Sequence, residues 1–167
     1  TVFITIYLTL LIYFTIKCLV NPGEEVIVPD PGFPTYYSAI KACGAKAVFV
    51  KLKEENQFRL NPEDLKDAIT NKTRLIILNT PSNPTGSVML PSEIERVAQI
   101  AKDNDIYLLS DEIYGRLIFN NEKSFKSPSY IDHCKERTII LNGFSKAFAM
   151  TGWRLGVAIG PEEVIEK

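Results

Sequence analysis

The sequence has 167 residues, of which 46% are hydrophobic and 23% are charged, and its formal net charge at pH 7 is −1. A chain of this length can bury a hydrophobic core and is most simply one domain. The near-zero net charge and the lack of a basic run argue against nucleic acid as a partner. Cys18, Cys43 and Cys134 are far apart in the sequence. We therefore expect no metal site, no disulfide framework and a reducing, cytoplasmic compartment.

Residues 1–20 are almost entirely apolar, with Lys17 as the only charge. About 20 apolar residues are enough to cross a bilayer as a helix, but this stretch lacks the basic start and small-residue cleavage site of a signal peptide. Three interpretations stay open: a helix buried in a larger domain, which we favour, a membrane anchor, or sequence foreign to the original gene. Periodicity does not separate them, because the stretch is apolar all round. We treat it as a segment apart from a domain at residues 21–167.

Short runs rich in Val, Ile and Leu predict buried strands. They lie at residues 26–28, 46–52, 75–78, 106–110 and 138–141, with a sixth at 155–159. Helical patterns alternate with them: one ends at Gly44, one starts with Asn61 as N-cap before Pro62, and one has an apolar face that includes Ile94 and Val97. Residues 120–128 are polar and predict a surface loop. This alternation indicates an α/β fold with a mostly parallel sheet and helices on both faces.

Polar residues of unusual type follow three of these strands. Asn83 comes after residues 75–78, Asp111 comes directly after residues 106–110, and Lys146 comes after residues 138–141. Ligands of parallel sheets bind at the carboxyl ends of the strands. We therefore predict that these side chains share one site.

These residue types suit an enzyme that holds pyridoxal phosphate on a lysine. Lys146 can form a Schiff base with the aldehyde, and Asp111 can keep the ring nitrogen protonated so that the ring accepts electrons. Asn83 and Tyr114 can donate to the phenolic oxygen, and Arg154 can bind the phosphate. Each residue also has an ordinary alternative. These are a helix N-cap for Asp111, a turn for Asn83, a packed side chain for Tyr114, a surface ion pair for Arg154 and solvation for Lys146.

Three separated motifs resemble those of the class I and II aminotransferases of fold type I, which use pyridoxal phosphate. They are Asn-Pro-Thr-Gly at residues 83–86, Ser-Asp-Glu-Ile-Tyr at residues 110–114, and the lysine signature at residues 143–156. The resemblance covers about residues 21–167 and implies the pyridoxal-phosphate-binding large domain of this fold. It implies a homodimeric enzyme that transfers an amino group between an amino acid and a 2-oxo acid. A related carbon–sulfur lyase and a non-catalytic fragment are the alternatives.

The resemblance also assigns roles to single residues. It makes Lys146 the catalytic Schiff-base lysine and gives cofactor contacts to the residues Asp111, Tyr114, Asn83, Arg154 and Phe33. Phe33 falls where the family stacks an aromatic ring on the pyridine. The Asn83–Pro84 peptide bond is a candidate for the cis form.

The sequence departs from the family pattern at the phosphate end. Gly143 stands where many members have a serine that binds phosphate, and residues 1–20 contain no glycine. The family has a glycine-containing phosphate loop at the start of the helix that precedes Asn21, so we expect this anchor to be absent or replaced. The family's small carboxyl-terminal domain follows the lysine motif, and we expect this chain to form an incomplete large domain.

Overall fold

The computed structural model of the chain describes residues 1–5, 7–119 and 125–166. Within these residues, seven strands form one sheet in the order β1-β7-β6-β5-β4-β2-β3. The strands are β1 (Val2–Thr5), β2 (Glu25–Asp30), β3 (Lys46–Lys51), β4 (Thr73–Asn79), β5 (Tyr107–Asp111), β6 (Thr138–Gly143) and β7 (Gly156–Ile159). The neighbouring strands β3, β2, β4, β5 and β6 pair in parallel, whereas β7 pairs antiparallel with both β6 and β1. The predicted fold class, a mostly parallel sheet with helices, is confirmed.

Helices cover both faces of this sheet. They are α1 (Leu8–Leu19), α2 (Pro34–Ala42), α3 (Pro62–Asp67), α4 (Pro91–Asp103) and the short α5 (Glu162–Ile165). Side chains of α1, α2 and α5 share one buried cluster, and those of α3 and α4 share the other. The predicted cap of α3 is confirmed, because the Asn61 side chain accepts a hydrogen bond from the Glu63 backbone at 2.8 Å.

Strand β4 shows why the central strands are apolar throughout. Leu75 and Ile77 pack in the cluster beneath α1 and α2, and the alternate residues Ile76 and Leu78 pack in the cluster beneath α3 and α4. All four side chains are at most 1% exposed. Successive side chains of a strand point to opposite faces, so a sheet covered on both sides needs apolar residues at every position.

The apolar amino-terminal stretch forms two elements. Strand β1 pairs with β7, with Val2 opposite Ile159, and α1 buries Leu11, Ile12 and Ile16 in the core. The strand was not predicted, because no turn residue separates it from the helix in the sequence. Among the described residues, no helix has the length and apolar character needed to cross a membrane.

Candidate active site

The ends of three neighbouring strands form the edge at which the predicted site residues meet. In the sheet, β4 lies beside β5 and β5 beside β6, and Asn79, Asp111 and Leu141 are paired across them. Asn83 follows β4, Asp111 ends β5, and Lys146 follows β6. Strand β7 is antiparallel and pairs Gly156 with Gly143, so its amino end lies at the same edge. This antiparallel direction places the turn that carries Arg154 beside the lysine turn.

Asp111 is a buried carboxylate held by two hydrogen bonds. Its side chain is 3% exposed. Its Oδ2 accepts a bond of 2.6 Å from the Tyr36 hydroxyl, and its Oδ1 accepts one of 3.3 Å from the Ile113 backbone. Burial raises the pKa of Asp111, and the two hydrogen bonds oppose that rise. The residues that follow Asp111 form turns and not a helix, so the alternative of a helix N-cap is wrong.

Tyr36 is a site residue that the sequence analysis missed. In the sequence it is one residue of the helical pattern that ends at Gly44, and in the structure it lies on α2 and is 2% exposed. Burial, together with the negative charge of Asp111, raises the pKa of Tyr36 well above its usual value. The phenol therefore stays protonated and donates to Asp111. The available signal was chemical, because a buried tyrosine hydroxyl usually has a hydrogen-bond partner.

Tyr114 and Asn83 line one open cleft of about 690 Å³. Lys146 is exposed and is not among the residues that line this cleft, but its Nζ lies 5.7 Å from the centre of the Tyr114 ring. Asn79, which the sequence analysis also missed, fixes the loop after β4. Its Oδ1 accepts from the Asn83 backbone at 2.8 Å, and its Nδ2 donates to the Asp111 carbonyl at 3.3 Å. The predicted cis peptide bond at Asn83–Pro84 is confirmed.

Phe33 is not among the residues that line this cleft. It contacts the edge of Tyr36, with ring centres 5.7 Å apart and planes at 84°. It lines a smaller cleft with Tyr37 and Phe49. Tyr36 therefore contacts both Phe33 and Asp111, so Phe33 packs against the residue that holds the buried carboxylate.

Arg154 is exposed and engages a residue of the amino-terminal stretch. Its Nη1 donates to the Thr151 carbonyl at 2.7 Å, and its guanidinium carbon lies 4.8 Å from the centre of the Tyr7 ring. Tyr7 is the cap residue of α1, and its side chain makes no capping hydrogen bond. The contact between a cation and an aromatic face is attractive. Tyr7 was not predicted as a site residue.

Gly143 is fixed by close packing between β6 and β7. A Cβ atom there would lie 2.9 Å from the Leu155 carbonyl oxygen and 3.1 Å from Cδ1 of Ile113. The first distance is shorter than ordinary van der Waals contact, so a side chain would require the Leu155 backbone to move. This explains glycine at the position where many members of the resembled family have serine.

Glu112 is a second buried carboxylate, and it holds a segment that was predicted to be a surface loop. Its Oε1 accepts from the Ser110 hydroxyl at 2.9 Å and from the Ser127 hydroxyl at 2.6 Å. Ser127 and Pro128 are buried, so the predicted surface position is wrong for these residues. Residues 120–124 of the predicted loop lie outside the described residues. The polarity of Ser127 serves a buried hydrogen bond and not contact with solvent.

The chain is similar to known proteins in sequence and in structure. Residues 9–167 match the family described as aminotransferase class I and II. The chain is 45% identical over 152 residues to an aspartate aminotransferase of Pyrococcus abyssi, a match that covers 91% of this chain and 39% of that protein. It is 46% identical over 145 residues to aromatic-amino-acid aminotransferase 2 of Thermococcus litoralis, covering 87% of this chain and 37% of that protein.

Solved structures show the same fold. An aromatic aminotransferase from Pyrococcus horikoshii superimposes with a TM-score of 0.95 at 39% identity, covering 99% of this chain and 44% of that one. The aspartate aminotransferase of Thermus thermophilus with maleate gives a TM-score of 0.94 at 38% identity, covering 99% and 42%. The chain therefore spans about two fifths of the length of the relatives it matches.

Proposed function

The chain belongs to the class I and II aminotransferases, and from this premise we propose that its protein is a pyridoxal-phosphate-dependent enzyme that transfers an amino group between an amino acid and a 2-oxo acid. The observation that carries the proposal is the position of the Lys146 amine over the Tyr114 ring. Lys146 follows β6, and β6 pairs with β5, the strand that ends at the buried Asp111. Because the chain spans about two fifths of its relatives, the activity is proposed for the whole protein.

The residues around the proposed ring position fit pyridoxal phosphate. Asp111 is a buried acceptor whose partners are a phenol and one backbone N–H. A protonated ring nitrogen would give this carboxylate the positive partner that favours its charged form. Tyr114 and Asn83 line one cleft, the Lys146 amine lies over the Tyr114 ring, and both cleft residues carry donors for a phenolate oxygen. The phosphate end is different. Arg154 is the one residue to which we assign a phosphate contact, and its guanidinium already contacts the Tyr7 ring.

Each side chain then has a stated task. Bound pyridoxal phosphate supplies a ring that accepts electrons when a bond at the substrate's alpha carbon breaks. Asp111 would hold the proton on the ring nitrogen, and Tyr36 holds Asp111 in position. Lys146 Nζ would hold the aldehyde. As a free amine, the same Nζ would move the proton at the substrate's alpha carbon as a general base.

Substrate class follows from the relatives only in outline. They include an aspartate aminotransferase and an aromatic-amino-acid aminotransferase, and we propose a 2-oxo acid and an amino acid of one of these kinds. We also propose a homodimer in the cytoplasm, since the resemblance to this family implies a dimer. The named relatives support amino transfer over carbon–sulfur cleavage.

A spectroscopic experiment tests the proposal. The purified protein is mixed with pyridoxal phosphate, and the visible absorption band is recorded before and after borohydride reduction. We expect wild type and the control Lys66→Ala, which removes an exposed lysine of α3, to give the same reducible band. Lys146→Ala should give none. A band of full size in Lys146→Ala would show that the assignment of Lys146 is wrong.

A further inference from the structure

The start of α1 and the guanidinium of Arg154 lie at the same edge of the sheet. Thr5 pairs with Gly156 at the end of β1. A Cβ atom on Gly156 would lie 3.0 Å from the Leu8 backbone nitrogen and 3.1 Å from the Leu8 Cα atom. The first turn of a helix presents free N–H groups and a partial positive charge, and arginine is a fixed cation. Both features attract an anion.

Tyr7 stands between these two features. It is the cap residue of α1, and its ring faces the Arg154 guanidinium carbon at 4.8 Å. In phosphate-binding loops the cap region is rich in glycine, because only a residue without a side chain lets the backbone N–H groups approach the phosphate closely. Residues 1–20 contain no glycine. Tyr7 therefore brings an aromatic ring to the place where such a loop leaves open space.

The ring also changes what Arg154 can bind. The face of an aromatic ring carries partial negative charge and attracts a cation. One side of the guanidinium meets Tyr7, and Nη1 donates to the Thr151 carbonyl. A phosphate that approached this guanidinium would have to displace the ring or share the cation with it.

We propose that Tyr7 determines ligand choice at this end of the site: it competes with a phosphate for Arg154, so that the site binds a pyridoxal-type ring with little contribution from the phosphate group. The site should therefore bind a hydroxypyridine whether or not it carries a phosphate ester, and it is not restricted to the phosphate ester. This inference rests on the proposed function, because it concerns the ligand of the same site.

Noncovalent ligands test it without the chemistry of Lys146. Pyridoxamine 5′-phosphate and pyridoxamine differ only in the phosphate and carry no aldehyde. Calorimetry gives the Kd of each ligand for wild type, Tyr7→Gly, Tyr7→Ser and Tyr7→Phe. The Kd of pyridoxamine divided by the Kd of pyridoxamine 5′-phosphate measures the contribution of the phosphate. Tyr7→Phe keeps the ring and is the matched control. Serine and glycine are accepted helix caps, so the Tyr7→Ser variant keeps the test decisive if the Tyr7→Gly variant does not fold.

We expect a ratio below about 10 in wild type and in Tyr7→Phe. The ratio should rise at least about tenfold in Tyr7→Gly and Tyr7→Ser, which is the size expected when a charge-assisted hydrogen bond to the phosphate is gained. A wild-type ratio above about 100, or a ratio that is the same in wild type and both ring-free variants, overturns the inference.

If neither amine binds to any variant, the proposed function fails, and inorganic phosphate then decides the inference. Thermal unfolding is compared in phosphate and in chloride of equal ionic strength. A rise of Tm in phosphate for the ring-free variants, absent from wild type and Tyr7→Phe, supports competition by Tyr7. An equal response of all four proteins overturns it.

Discussion

Removing the Tyr36 hydroxyl isolates the support of the buried carboxylate Asp111. The Tyr36→Phe variant keeps the ring, its contact with Phe33 and its burial, and loses only the bond of 2.6 Å to Asp111 Oδ2. A hydrogen bond to a charged group contributes about 1.5–3 kcal/mol to stability. Asp111 is 3% exposed, so water cannot replace the lost donor. We expect the ligand-free variant to be less stable at pH 7 by about this amount, which lowers Tm by roughly 3–12 °C.

The pH dependence gives this prediction a sign. Burial raises the folded-state pKa of Asp111 above its unfolded value, so its contribution to stability is fully present below the unfolded pKa of about 3.9 and is lost as pH rises through the folded pKa. Without the Tyr36 bond, which opposes that rise, the folded pKa of Asp111 is higher still. The stability difference between wild type and Tyr36→Phe should therefore increase as pH rises above the unfolded pKa of Asp111.

Thermal unfolding of the ligand-free proteins between pH 5 and pH 8 measures this difference. Tyr37→Phe is the matched control, because Tyr37 is the next residue of α2 and is 49% exposed. We expect this control to stay within about 0.5 kcal/mol of wild type, as is usual for surface substitutions. The reasoning is refuted if the two variants have the same Tm at pH 7, or if the deficit of Tyr36→Phe grows as pH falls.

Two further predictions concern the turns that support the site. Glu112→Ala leaves the hydroxyls of Ser110 and Ser127 without their common acceptor, so urea unfolding should show that the free energy of unfolding falls by about 2–4 kcal/mol. Glu112→Gln keeps an acceptor oxygen and should lose less stability. Equal losses would argue against the hydrogen-bond explanation. Gly143→Ser places a Cβ atom 2.9 Å from the Leu155 carbonyl oxygen, so it should lower the free energy of unfolding by about 1–3 kcal/mol, as overpacking does. Gly152→Ser is its control, because a Cβ atom there meets nothing within 4 Å. Unchanged unfolding of Gly143→Ser would contradict the packing argument.

The sheet and the meeting of the polar residues could be predicted because both depend on local patterns. Continuous apolar strands require cover on both faces, and this is what Ile76 and Ile77 show on opposite sides of β4. Polar residues at the carboxyl ends of parallel strands must lie at one edge of the sheet, so the position of Asn83, Asp111 and Lys146 at one edge followed from the predicted parallel strands.

The features that could not be predicted depend on contacts between distant parts of the chain. The helical pattern that ends at Gly44 includes Tyr36, but it could not show that the Tyr36 hydroxyl meets Asp111, which is 75 residues away. Strand β1 follows from its pairing with β7, and no residue between β1 and α1 marks a turn. The contact of Tyr7 with Arg154 joins the two ends of the chain, so the sequence could show that residues 1–20 contain no glycine but not that Tyr7 meets Arg154.

We propose that Lys146, among the lysines of the described residues, is the one that binds the aldehyde of pyridoxal phosphate. The most direct measurement is to treat the protein with substoichiometric pyridoxal phosphate, reduce it with borohydride, digest it and locate the label by peptide mass spectrometry. The account predicts a label concentrated on Lys146. A label spread over exposed lysines such as Lys66 and Lys102, with no preference for Lys146, would contradict it.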